Sequence, residues 1–112
     1  MNHIVEIRSY NLKPGTRDAY HQVVVEQAVP MLQRAKMDVV AFGASPHDAD
    51  SYYLIRAFAD LDDLNRQEDA FYGSDDWRNG PREAILSRIE NYTSIVLEVD
   101  DATLAGLRRS PV

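Results

Sequence analysis

Residues 5–15 read Val5-Glu6-Ile7-Arg8-Ser9-Tyr10-Asn11-Leu12-Lys13-Pro14-Gly15. Val5 and Ile7 alternate with Glu6 and Arg8, and a period of two marks a strand with unlike faces. The alternation predicts a strand over His3 to Tyr10. Lys13-Pro14-Gly15 is a turn signal, because proline and glycine both break regular structure. Thr16 or Gly15 then stands where a helix can begin.

Outward from this stretch, Tyr20, Val24, Ala28, Met31, Leu32 and Ala35 recur at helical spacing and predict a helix from Arg17 to about Ala35. Pro30 lacks a backbone donor and crowds the preceding turn, so a kink or restart is expected there. Asp38 to Ala44 reads as a second strand, Ser45 to Asp50 as a polar loop, and Ser51 to Phe58 as a third strand. Strands two and three form a hairpin. Asp60 stands at an N-cap, and Leu61, Leu64, Glu68 and Phe71 carry a helix to about Tyr72. Gly73 ends it. Ser74 caps a last helix running to about Glu90, with Trp77, Ile85 and Ile89 on one side and a bend at Gly80-Pro81. Tyr92 to Val99 is a fourth strand. Residues 1–99 thus form one domain, and 100–112 a polar tail with at most one short helical turn.

The order β-α-β-β-α-β defines a ferredoxin-like α+β fold, a four-stranded antiparallel sheet with helices on one face. Two kinds of sheet face follow from the alternation. Val5, Ile7, Ile55, Ala57, Ile95 and Leu97 make a plain apolar face, expected under the helices. Ile4, Glu6, Arg8, Tyr10, Tyr52, Leu54, Arg56, Phe58, Val96 and Glu98 make a face too apolar for open water yet charged. That face is expected to meet a second copy, giving a homodimer packed sheet against sheet.

Composition narrows the function. With 112 residues the chain fits a single domain, and 45% hydrophobic with 27% charged residues is a globular composition. Its 18 acidic residues outnumber 12 basic ones, for a net charge of -6. No basic stripe exists to neutralise phosphates, so neither nucleic acid nor an anionic membrane is an expected partner. There is no cysteine, which excludes disulfides, thiolate metal sites and cysteine nucleophiles. Met1 leads directly into a strand pattern, and no apolar run reaches membrane-spanning length, so the cytoplasm is the expected location.

The opening stretch resembles the start of NIPSNAP domains, which begin with a Glu-aliphatic-Arg-x-Tyr strand and an aliphatic-Lys-Pro-Gly turn. Pro30-Met31-Leu32 is similar to a step in that family's first helix. So is Asp76-Trp77, followed by a helix and the strand Ser94-Ile95-Val96-Leu97. The resemblance spans roughly Ile4 to Val99. It implies a dimeric α+β barrel, in which two ferredoxin-like domains pack their sheets together. It further implies relatives among cofactor-independent monooxygenases, isomerases and haem-handling enzymes, with trafficking or scaffolding roles suggested for eukaryotic members. The acidic run after strand three (Asp60, Asp62, Asp63, Glu68, Asp69) carries no catalytic mark of the family.

The residues themselves offer one main constellation. Glu6, Arg8 and Tyr10 share a face with Arg56 if strands one and three are neighbours. Arginine is a fixed cationic fork for carboxylates or enolates. Tyr10 can donate to a developing oxyanion, and Glu6 or His21 can move a proton. Catalytic candidates are therefore Glu6, Arg8, Tyr10 and His21. The simpler reading is an ion pair between Glu6 and Arg8 or Arg56, and a helix-edge position for His21. Arg56, Tyr52, Tyr72 and Trp77 are candidate substrate contacts, Tyr72 and Trp77 because they flank the Gly73 break where a pocket can open. The three histidines lack i,i+4 spacing, so no metal is expected, and no cofactor motif is present. Two functions remain. One is a dimeric module binding a small organic molecule or partner in a cleft between sheets. The other is a monooxygenase or isomerase acting on a small aromatic or keto compound.

Overall fold

Strand β1 spans Asn2–Leu12 in the computed structural model, which describes residues 1–108. It is longer than the alternation alone indicates, because its end is tied down on both sides. The Leu12 N–H donates to the Asp50 carbonyl at 2.8 Å and the Lys13 N–H to the Arg88 carbonyl at 2.9 Å. Gly15 then turns with φ +77°, a left-handed conformation that glycine adopts without a side-chain clash.

Strands β2 (Asp38–Ala44), β3 (Ser51–Phe58) and β4 (Ile89–Asp100) complete one sheet in the order β2-β3-β1-β4, with every neighbour antiparallel. Central strands β1 and β3 pair Glu6 with Arg56, Arg8 with Leu54 and Tyr10 with Tyr52.

The first helical segment is not continuous. Helix α1 (Arg17–Val23) gives way to a π-helical turn over Val24–Ala28 before α2 (Val29–Arg34). Pro30 has no N–H to offer the carbonyl one turn back, and the wider turn absorbs that missing bond. Helix α3 (Leu61–Tyr72) starts at Asp60, whose carboxylate accepts the Asp63 N–H at 2.7 Å. Ser74 Oγ accepts the Trp77 N–H at 3.2 Å and starts α4 (Asp75–Asn79). Gly80-Pro81 breaks the chain before α5 (Arg82–Leu86).

Three sequence expectations change. The last helix does not reach Glu90, because β4 begins at Ile89, where the chain pairs with Leu12. The stretch after Asp100 forms α6 (Asp101–Arg108), capped by the Asp100 carboxylate accepting the Thr103 N–H at 2.8 Å. Residues 109–112 of the expected polar tail lie outside the described residues. Thirdly, the two sheet faces are exchanged. Tyr10, Leu12, Tyr52, Leu54 and Phe58 pack beneath α1–α5 against Tyr20, Leu32, Leu64, Phe71 and Trp77. The plain face turns the other way, where Val5, Val40, Ile55 and Ala57 are covered by Leu104 of α6. The even-numbered face carries the larger side chains, which fill the gap to a helix layer, and its charges are paired inside the chain. Beyond α6 the plain face is open, with Ile95 58% and Leu97 42% exposed.

Among the described residues no helix is long and apolar enough to cross a membrane.

Candidate functional site

The register of the central strands places Glu6 beside Arg56, and both side chains turn toward the helices. Arg56 is fully buried and Glu6 is 4% exposed. A charge so buried costs several kcal/mol unless it is paired, so partners are obligatory. Arg56 Nη2 donates to Glu6 Oε1 at 2.6 Å and lies 3.3 Å from Glu68 Oε2. Arg8, two residues from Glu6 on the same face, donates through Nη2 to Glu68 Oε1 at 3.1 Å and lies 3.5 Å from Glu6 Oε2 through Nε. Two guanidiniums and two carboxyls therefore interlock. Arg56 Nη1 and Arg8 Nη1 both donate to the Tyr72 hydroxyl oxygen, at 2.9 and 3.3 Å. That oxygen is thus held between the two guanidiniums.

The two carboxyls are not equivalent. Burial works against the Glu6 carboxylate, but its hydrogen bond with Glu68 and the charges of Arg56 and Arg8 hold it below the ordinary glutamate value. Burial, and then the hydrogen bond with Glu6, push Glu68 up to about 7. Two carboxyls sharing one site favour one shared proton over two charges, and Glu68 is the partner that is raised. Burial likewise raises Tyr10 to about 12, so it stays a neutral phenol.

Aromatic rings surround the cluster. The Arg8 guanidinium lies over the rings of Tyr72 and Tyr92, at 5.3 and 5.1 Å from their centroids. Tyr72 packs edge-on against Trp77 at 5.3 Å. Arg8, Tyr10, Tyr72, Trp77, Ile85 and Tyr92 bound an open pocket of about 340 Å³. Tyr10, Tyr72, Trp77 and Ile85 are also walls of an inner cavity of about 40 Å³, which reaches Val24 and Ala28 of the π turn. The pocket lies between sheet and helices of one chain. It is not the cleft between two sheets that the sequence suggested, because the charged face is covered by the chain's own helices.

The structure thus brings Glu6, Arg8, Tyr10, Arg56, Tyr72 and Trp77 together. Tyr52 lies deeper, under Tyr20, with ring centroids 4.9 Å apart. His21 stands apart on the exposed side of α1, where its Nδ1 meets the Tyr52 hydroxyl at 2.6 Å. Glu68 was not among the sequence candidates. A signal existed: Leu64, Glu68 and Phe71 follow one helical stripe, and a carboxylate on a buried stripe demands cationic partners. Among the described residues no group of three or more acidic, cysteine or histidine side chains could hold a metal.

These features define a ferredoxin-like α+β domain carrying an arginine-based, aromatic-walled pocket. The NIPSNAP family model matches residues 5–100, and the chain belongs to that family. A NIPSNAP family protein from Agrobacterium tumefaciens superposes with a TM-score of 0.82 at 17% identity, covering 92% of this chain and 90% of that one. An uncharacterised NIPSNAP-like domain protein from Burkholderia xenovorans gives 0.80 at 16% identity, over 98% and 90%. A putative antibiotic biosynthesis monooxygenase from Bordetella bronchiseptica gives 0.67 at 22% identity, over 90% and 98%. At such identities the likeness shows the fold. No curated protein matches the chain.

Proposed function

We propose that this NIPSNAP domain binds a small, flat organic molecule in the pocket between its sheet and its helices. The observation that carries the reading is the pocket of about 340 Å³, with aromatic walls and one fixed guanidinium at its side. Ligand sites commonly combine a mostly apolar concavity with a few placed polar groups, and this pocket is within the usual size range. Trp77 is the only tryptophan of the chain, so its indole N–H is a single reporter. Titration with indole, benzoate and 2-naphthol should move that resonance and those of Tyr10 and Tyr92 in proton–nitrogen spectra. No shift at millimolar ligand sinks the reading.

A second reading, a proton-transfer enzyme of the monooxygenase or isomerase type, is favoured by the carboxyl pair. Glu68 is held near neutrality beside Glu6, and general acid–base work is most effective there. In this reading Glu68 moves the proton, since Glu6 is held ionised by two arginines and His21 lies outside the cluster. The fold is shared with the putative monooxygenase of Bordetella bronchiseptica. Consumption of an added keto acid or phenol, lost in Glu68→Gln, is the test. Equal turnover by that variant contradicts it.

The open sheet face completes the proposal: a second copy covers it. Between Ser51 and Ile55 on β3 and Thr93 and Val99 on β4, the odd-numbered side chains are uncharged. In a chain of net charge -6, such a face is where two copies meet without like-charge repulsion.

A further inference from the structure

The pocket and the charged cluster meet at Arg8, which belongs to both. We infer that the ligand is an anion, a carboxylate or enolate on a flat apolar body, that it docks at the Arg8 guanidinium, and that its binding draws a proton onto Glu68. The inference rests on the small-molecule reading above and adds the ligand class and the proton.

Three observations support the ligand class. Among the described residues lining the pocket, Arg8 alone is charged. Its hydrogen bonds to Tyr72 and Glu68 use one proton on each Nη, and each Nη carries a second. The tyrosine rings over it fix the plane of the fork, so a planar carboxylate or enolate meets it in register. Trp77, Ile85, Leu86 and Ile89 make the remaining wall apolar. The inner cavity of about 40 Å³ beyond Trp77 and Ile85 accepts a methyl-sized group at most.

The proton follows from what faces Glu68. Glu6 and Arg8 reach it from β1, Arg56 from β3, and Tyr72 stands one turn further on α3. Tyr10 and Tyr92 lie beyond Arg8. With one proton on the carboxyl pair, the cluster holds two positive charges and one negative, a surplus that attracts an anion. When Glu68 ionises the surplus vanishes, and its carboxylate, 3.1 Å from Arg8 Nη2, competes with the ligand for the same fork. A bound anion therefore raises the proton affinity of Glu68, and by linkage a proton on Glu68 raises affinity for the anion. Burial beside Glu6 pushes Glu68 up to about 7, so the coupling is expected near neutral pH.

Calorimetric titration with 4-nitrobenzoate and with uncharged 4-nitrobenzamide tests this. The acid stays ionised between about pH 6 and about pH 9, so any pH dependence belongs to the protein. The expected result is preference for the acid, with its Kd rising toward about tenfold per pH unit above neutrality. Heats measured in phosphate and in Tris should differ, reporting proton uptake by the wild-type chain. Arg8→Gln should weaken the acid about tenfold or more and leave the amide unchanged, and Glu68→Gln should flatten the pH profile. If neither compound binds, the small-molecule reading falls with this one. If the amide binds as tightly as the acid, or Arg8→Gln affects both alike, only the anion class falls. Equal heats in both buffers overturn the link to Glu68, and that measurement needs no variant.

Discussion

Arg56 Nη2 donates to Glu6 Oε1 at 2.6 Å across the two central strands, from positions opposite each other in the register. The sheet itself sets this contact, and everything in the candidate site hangs from it. Glu68 reaches down from α3 to the same guanidinium, and Tyr72 closes the group from the end of that helix. A cluster so placed resists rearrangement, because no member can leave without stranding a buried charge.

Arg56→Ala should therefore be among the most damaging substitutions in the chain. It leaves Glu6, 4% exposed, next to Glu68 without its closest cation. The expected loss is about 3–5 kcal/mol in urea unfolding. A loss below about 1 kcal/mol would mean that the pair is not formed as described.

Glu68 makes stability depend on pH in a defined direction. Its carboxyl is raised from 4.5 to about 7, so between those values the native chain holds a proton that the unfolded chain has released. The Glu68 contribution is then fully present below 4.5 and is lost as pH rises to about 7. Glu6, lowered in the native state, works the other way: its contribution is present above 4.5 and disappears as pH falls below it. Glu68→Gln removes the first effect, and the Gln amide can still donate to Glu6 in place of the protonated carboxyl. The melting temperature of this variant relative to wild type should climb from about pH 5 to about pH 7 and level off above. A difference that stays flat or falls over that range contradicts the shared proton.

The open face predicts an assembly. Wild-type chain should sediment at twice its 12.7 kDa mass at micromolar concentration. Leu97→Glu should sediment as a monomer with unchanged circular dichroism, since Leu97 is 42% exposed within one chain. Wild-type protein that sediments as a monomer ends the dimer proposal.

Gly80→Ala probes the corner that holds the pocket wall. A β-carbon there would run into the Asp76 carbonyl oxygen and come within 3.2 Å of the Met31 methyl. The α4–α5 corner must move, and Trp77 and Ile85 move with it. Such overpacking costs about 1–3 kcal/mol, and ligand affinity should drop with it. Unchanged stability would show that the corner is looser than the contacts indicate.

The order of elements was legible because its signals are local. Asp60, Ser74, Gly73 and the Pro14-Gly15 turn act on neighbours a few residues away, and the apolar runs bounded by polar residues give strands β2 and β3 to the residue. The sheet face under the helices was not legible. Alternation says that Glu6 and Val5 point apart, but not which of them points inward. The charges on Glu6, Arg8 and Arg56 suggested an interface, and only the arrival of Glu68 and Tyr72 from α3 makes that face a core. The proximity of Glu6, Arg8, Tyr10 and Arg56 was legible because register alone joins them. Glu68 was missed because its role depends on how α3 lies across the sheet, a contact 60 residues from Arg8 and 12 from Arg56.

Anion binding at Arg8 is tested most sharply by a crystal structure of the chain soaked with 4-nitrobenzoate. The ring should lie against Tyr72 and Trp77, with its carboxylate within about 3 Å of the Arg8 guanidinium. Density for the ligand only elsewhere, or a pocket closed by its own side chains at saturating ligand, contradicts it.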